Sequence, residues 1–302
     1  MVRDPRFKRI DVFPITGALG ADVRGANLGE EPDEECILEI RRALDTYHVI
    51  AVRGQSLTPQ SFRDVAARFG PFSANPVHAS MEGLPNIIRF VREPDDTGKV
   101  IGEDWHMDLA WLPRPPGITM LYGEVIPPVG GDTCFTSLAH AYQALSPSMR
   151  ALLQERTGLH SGKGVFAINA IQSRLALRAE AQRAEETEVE HPMICVHPVT
   201  GEPYLFVSSV LRRIGGLSED ESRPIIQYLL SLATRPEFNC RVRWEPGTLT
   251  MWDNPCVMHT AINDYHGHRR VTYRTTIEGW TPKAASANVI PHARAAESKG
   301  HA

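Results

Sequence analysis

The sequence predicts a mixed α+β, mainly β fold in which a double-sheet jelly roll carries flanking helices. Three observations predict it. Short runs rich in β-branched and aromatic residues, cut by Gly/Pro turns, fill the middle and C-terminal parts. Helical periodicity is confined to segments beside those runs and does not alternate strictly with them. No G-x-G-x-x-G or phosphate-binding loop follows any run, which argues against doubly wound nucleotide-binding folds. The 302 residues contain no internal repeat and no Ser/Gly linker, so 1–282 reads as a single domain. Residues 283–302 lack apolar periodicity and are expected to form a flexible tail.

The first helix is expected over 33–47, where Ile37, Ile40 and Leu44 recur at helical spacing. Thr58 and Pro59 supply an N-cap and an N1 proline for a second helix, which Gly70 stops. Ser146 and Pro147 open a third that runs through Leu153. Ser218 and Glu221 make a capping box ahead of Ile225, Leu229 and Leu232. Residues 170–186, rich in Ala, Arg, Gln and Glu, fit an exposed helix or a mobile flap. Strands are expected at 48–53, 87–92, 118–125, 193–197, 204–210, 240–244, 248–252 and 271–278.

Composition narrows the partners. The net charge is −4 and the Lys and Arg residues are scattered, so neither nucleic acid nor a membrane surface is an expected partner. No apolar stretch fits a signal peptide or a membrane span. The five cysteines (Cys36, Cys134, Cys195, Cys240 and Cys256) are isolated, which points to inert thiols in a reducing, cytoplasmic compartment.

Chemistry enters at Asp104-Trp105-His106-Met107-Asp108. On an extended segment, residues two apart share a face, so His106 and Asp108 can close on one ion. That pair suits Fe(II) but lacks a third ligand. Alone, it reads first as a hydrogen-bonded histidine beside a solvated aspartate. Further on, a β-like run ends at His259, a turn-rich piece spans 262–268, and a strand follows with Arg270, Thr272 and Arg274 on one face. A hairpin would return that face beside His259. Arginines on such a strand are costly to bury without anions. Carboxylate or sulfonate recognition is one use for them, and pairing with Asp253 or Glu278 is another.

Together these pieces resemble the taurine dioxygenase (TauD/TfdA) family over nearly the whole chain. The resemblance rests on Phe69-Gly70-Pro71-Phe72, Trp105-His106-Met107-Asp108, Gly130-Gly131-Asp132-Thr133, Met251-Trp252-Asp253-Asn254 with His259, and the two arginines. It implies a cupin-like double-stranded β-helix, Fe(II), 2-oxoglutarate, O2 as cosubstrate, and release of succinate and CO2 as a small anionic substrate is oxidised. It also implies a homo-oligomer, a dimer or tetramer. By the same resemblance His106, Asp108 and His259 are the metal ligands. Arg270 and Thr133 hold the distal carboxylate of 2-oxoglutarate, and Arg274 holds the substrate anion.

The match departs in the substrate pocket. Asn75 and His78 stand where taurine-specific members have His and Tyr, and Gly102 stands where they have Asn. The stretch 91–102 is similar instead to members acting on aryloxyalkanoate acids. The expected substrate is therefore an aryloxyalkanoate-like carboxylate or a sulfonate, with Asn75, His78, Leu109 and Trp111 lining its pocket. Phe166 and Val210 are further candidates, although Trp111 and Phe166 fit a core equally well. The remaining histidines show no ligand-like spacing for a second metal. A lid is expected within 75–102 or 160–190. Two other readings stay open: a zinc-dependent hydrolase on the same ligands, and a non-catalytic cupin-like binding protein.

Overall fold

The structure is a computed structural model that describes residues 1–30, 32–165, 181 and 186–286. Its strands are β1 (Asp11–Pro14), β2 (Ala21–Arg24), β3 (Val49–Val52), β4 (Ile88–Arg92), β5 (Ile118–Val125), β6 (Thr133–Ser137), β7 (Thr157–Ser161), β8 (Glu188–Pro192), β9 (Ile194–Val196), β10 (Pro203–Leu205), β11 (Leu211–Ile214), β12 (Asn239–Val242), β13 (Leu249–Asp253), β14 (Val257–Ala261) and β15 (Arg270–Ile277). The helices described are α1 (Glu34–Tyr47), α2 (Pro59–Ala67), α3 (Leu138–Ala144), α4 (Pro147–Leu153) and α5 (Glu219–Ala233).

Seven strands form the main sheet in the order β1-β2-β3-β13-β5-β15-β4, antiparallel except for β2 with β3. A three-stranded sheet, β12-β6-β14, packs against it. Val49 and Ala51 of β3 and Trp252 of β13 meet Phe135, Val242 and Val257 from the smaller sheet in one buried cluster. α1 and α2 cover the outer face of the main sheet through Ile37, Ile40, Leu44, Phe62 and Val65. The sheets β11-β7-β8 and β10-β9 extend the body on the far side, beside α3 and α5.

The caps follow local chemistry. Asp33 accepts the Cys36 N–H at 2.8 Å to open α1, and His48, in the left-handed region at φ 57, closes it by donating to Leu44 O at 2.7 Å. Thr58 with Ser61 and Ser218 with Glu221 form complete capping boxes on α2 and α5.

Three expectations need correction. β14 and β15 are not a hairpin: β14 pairs with β6, and β15 pairs with β5 and β4 in the other sheet. The turn-rich piece between them crosses from one sheet to the other, so the arginines face His259 across the gap between the layers. The strand expected over 204–210 ends at Leu205, because Ser208 accepts the N–H groups of Val210 and Leu211 and turns the chain. Residues 283–285, expected in the flexible tail, are tied to the body, since Val196 donates to Lys283 O at 3.0 Å and Ala285 donates to Ile194 O at 3.1 Å, and 287–302 lie outside the described residues. Phe166 and nearly all of 170–186 lie outside the described residues. Among the described residues, no helix is long and apolar enough to cross a membrane.

Candidate metal centre and adjoining cavities

His106 and His259 are joined by a two-bond backbone bridge. His106 N–H donates to His259 O at 3.0 Å, and His259 N–H donates back to His106 O at 2.8 Å. The bridge sets the two rings side by side, with centroids 4.1 Å apart. Each Nε2 stands 3.7 Å from the same oxygen, Asp108 Oδ1. His106 Nδ1 lies 2.7 Å from Asp104 O, a carbonyl that can only accept, so Nδ1 is the donor there and Nε2 is the nitrogen that faces Asp108. The ring of His259 is walled by Trp252 and Phe135, at 4.8 and 5.7 Å between centroids.

Asp108 is 3% exposed and held from three sides. Asn254 accepts its N–H at 2.9 Å and donates to its carbonyl at 3.0 Å and to Pro116 O at 3.1 Å. Thr119 donates its hydroxyl to Oδ2 at 2.8 Å, and Arg274 approaches Oδ1 at 2.6 Å. Burial pushes the carboxyl up, but the Arg274 guanidinium and the Thr119 hydrogen bond outweigh it and hold it well below the usual carboxylate range. Burial, then the neighbouring His106, keep His259 well below its ordinary value, so its imidazole is neutral.

The three ligand atoms lie within 4.8 Å of one another. Contacts of 3.7 Å are too long for hydrogen bonds, so the lone pairs converge without satisfying each other. Two neutral-capable imidazoles and one carboxylate on one side of an ion are the donor set that suits Fe(II) with positions left open.

A cavity of about 480 Å3 adjoins the triad and is lined by His106, His259, Thr133, Arg270, Tyr265 and Arg274, among others. The Arg270 guanidinium sits 5.4 Å from the Trp244 ring centre and 5.8 Å from that of Tyr265. Among the described residues, its buried Nε has no hydrogen-bond partner. Thr133 Oγ1 accepts the Trp244 indole N–H at 3.0 Å. A cation framed by aromatic faces, with a hydroxyl on the same cavity wall, fits one carboxylate of a dicarboxylic acid.

A second cavity, of about 700 Å3, shares His106, Gly102 and Arg274 with the first. All five residues expected to line the substrate pocket, Asn75, His78, Leu109, Trp111 and Arg274, line it, as does Val210. Asn75 accepts the N–H groups of Val77 and His78 at 2.9 and 3.0 Å, so it shapes the turn that presents His78. Burial, with Arg274 adding to it, pushes His78 down to about 3, which keeps it neutral. Trp111 belongs to the core cluster and lines the cavity as well, so both readings of it hold. At Gly102 (φ +82) a Cβ would lie 3.0 Å from His106 Cε1, so a side chain there would press on a ligand ring.

Thr119, Trp244 and Tyr265 carried no signal in the sequence reading, and Asn254 stood in a quoted motif without a role. Their partners lie far along the chain, and only the sheets bring them together. The fold also assembles a second group, His48, Asp253 and Cys256, whose ligand atoms likewise lie within 4.8 Å, where residue spacing suggested none.

A model of the taurine catabolism dioxygenase TauD, TfdA family matches residues 11–276. A sulfate ester dioxygenase of Pseudomonas putida, dependent on alpha-ketoglutarate (2-oxoglutarate), is 31% identical over 92% of this chain and 92% of its own. The alpha-ketoglutarate-dependent 2,4-dichlorophenoxyacetate dioxygenase of Cupriavidus pinatubonensis is 29% identical over 88% of this chain and 96% of its own. The crystal structure of a taurine dioxygenase from Burkholderia xenovorans superposes with a TM-score of 0.78 at 32% identity, covering 92% of this chain and 93% of that one. The chain belongs to the TauD/TfdA family. It is an Fe(II)- and 2-oxoglutarate-dependent dioxygenase with O2 as cosubstrate.

Proposed function

We propose that this dioxygenase, built on a double-stranded β-helix, oxidises a small organic anion with an apolar body: an aryloxyalkanoate-like carboxylate, a sulfonate or a sulfate ester. His106, Asp108 and His259 hold the iron. Arg270 and Thr133 hold the distal carboxylate of 2-oxoglutarate, and Arg274 binds the substrate anion. Iron, 2-oxoglutarate and O2 supply the oxidation, with succinate and CO2 released.

The observation that carries this reading is the placement of Arg274. It lines both cavities and lies 2.6 Å from Asp108. An anion drawn to it is therefore brought to the wall nearest the triad, with its carbon skeleton directed along Leu109, Trp111, Val165 and Val210. His78 is neutral, so it adds a polar contact there without a second positive charge. The apolar rings of Trp252 and Phe135 shield His259 from water. Segment 99–102 borders both cavities and is the part of the expected lid span best placed to gate them. The relatives named above act on a sulfate ester and on an aryloxyacetate, both anions with an organic tail. Hydrolytic zinc chemistry would leave Arg270 without a counter-ion, and a binding protein would not need the converging triad.

The test is substrate-dependent succinate release with matched series of alkyl sulfates, alkyl sulfonates and aryloxyalkanoates, beside neutral analogues of the same shape. One anionic class should turn over with about one succinate per product, and the neutral analogues should not. Equal turnover of neutral and anionic analogues would refute anion selection by Arg274.

A further inference from the structure

The two oxygens of Asp108 face different surroundings. Oδ1 points at both histidine Nε2 atoms and at Arg274. Oδ2 accepts the hydroxyl of Thr119 at 2.8 Å. Thr119 lies in the middle of the main sheet, on β5, in register with Trp252 on one neighbouring strand and Thr276 on the other. It is fully buried, so its hydroxyl has no water to turn to, and β-branching restricts its rotation. The backbone of Asp108 is fixed separately by two hydrogen bonds with the Asn254 side chain, which accepts its N–H and donates to its carbonyl. With the backbone clamped, the remaining freedom of Asp108 is rotation of its carboxylate, and the Thr119 bond opposes that rotation.

A free carboxylate beside a divalent ion can chelate through both oxygens. That would fill a position the cosubstrates need, since two imidazoles and one carboxylate oxygen leave three positions on a six-coordinate ion. We propose that Thr119 is a positioning residue that reserves Asp108 Oδ2 and so limits Asp108 to one oxygen on the metal, keeping three positions for 2-oxoglutarate and O2. The proposal rests on the reading that His106, Asp108 and His259 hold the iron.

The test uses Thr119→Val, which keeps the shape and removes the donor, with Thr119→Ser as the conservative rescue. Under anaerobic conditions Fe(II) should bind Thr119→Val at least as tightly as wild type. 2-Oxoglutarate should bind the Fe(II)-loaded variant about tenfold or more weakly. The visible charge-transfer band should weaken with it, and Thr119→Ser should restore both. Wild-type 2-oxoglutarate affinity and an unchanged band in Thr119→Val would overturn the proposal. Should Thr119→Val fail to fold, difference infrared spectra of Fe(II)-loaded wild type decide instead. The Asp108 signal, identified by its absence in Asp108→Asn, should show the wide splitting of one-oxygen ligation, and a narrow chelate splitting overturns the proposal. Wild type that takes up no Fe(II), or His106→Ala that binds it unimpaired, would show that the triad reading has failed, and the inference would fall with it.

Discussion

Around Asp108, two imidazoles stand 3.7 Å from one carboxylate oxygen, whereas around Asp253 the imidazoles of His48 and His197 lie 3.0 and 3.2 Å from theirs. His48, Asp253 and Cys256 are all buried, as are Asp108 and His259, with His106 half-buried, and within each of these two groups of three the ligand-type atoms come within 4.8 Å of one another. The shorter distances mean that the second cluster has already used its lone pairs. Asp253 accepts from both rings, and the other nitrogen of His48 meets Glu202 at 3.4 Å. Burial opposes charge on His48, but Asp253 and Glu202 outweigh it and raise it to about 9, so it is an imidazolium at neutral pH with no lone pair for a metal. His259 is the opposite case: neutral, facing a cavity, with its Nε2 available. The contrast shows that nearness of histidine and aspartate does not make a metal site. What counts is which atoms still have something to give. The closed cluster also has a structural use, because Asp253 directly precedes Asn254, the residue that clamps Asp108.

The largest expected effect separates the two clusters. Asp108→Ala or His259→Ala should lower Fe(II) affinity at least about a hundredfold, measured anaerobically by equilibrium dialysis. Asp253→Asn should leave one metal per chain and instead lower stability by about 3–5 kcal/mol in denaturant unfolding, the cost of breaking a buried charge pair. A second metal equivalent in wild type that Asp253→Asn removes would erase the distinction.

The next effect tests the two arginines. Arg270→Ala should weaken 2-oxoglutarate binding by about 2–4 kcal/mol in calorimetry with Mn(II) in place of iron. Arg274→Ala should spare uncoupled 2-oxoglutarate turnover and abolish its coupling to substrate. Equal loss of 2-oxoglutarate affinity in both would contradict their separate roles.

The smallest effect is a pH dependence. Because the folded value of His48 is raised, its contribution is fully present below its ordinary 6.5 and is lost as pH rises through about 9. The stability gap between wild type and His48→Gln, followed by thermal unfolding from pH 6 to 10, should therefore narrow by about 3 kcal/mol or less across that window. A gap that widens with pH would reverse the assignment of charge to His48.

Much of this was readable in the sequence where the signal is local. The helix caps at Thr58, Ser146 and Ser218 work through residues three apart and cap as expected, and Asp33, expected as the first residue of its helix, caps it in the same way. β5, β13 and β15 are apolar or β-branched runs in the main sheet, and they were found within a residue or two. Short strands without such runs, β1, β2, β7 and β8, were not. His106, Asp108, His259 and the arginines could be found because their spacing is carried in short motifs. Whether β14 pairs with β15 is a question of sheet membership, which spacing does not encode, and the hairpin expectation failed there. Thr119 is eleven residues from its aspartate and on another element, and His48 is 205 residues from Asp253, so neither contact leaves a pattern in sequence.

The most direct test is an anaerobic titration of metal-free protein with Fe(II) and then 2-oxoglutarate, watching for the visible metal-to-ligand charge-transfer band. One equivalent of each should raise the band in wild type and in His48→Gln, and His106→Ala should not show it. Tight zinc binding with no band, or a band that survives in His106→Ala, would contradict an iron centre on His106, Asp108 and His259.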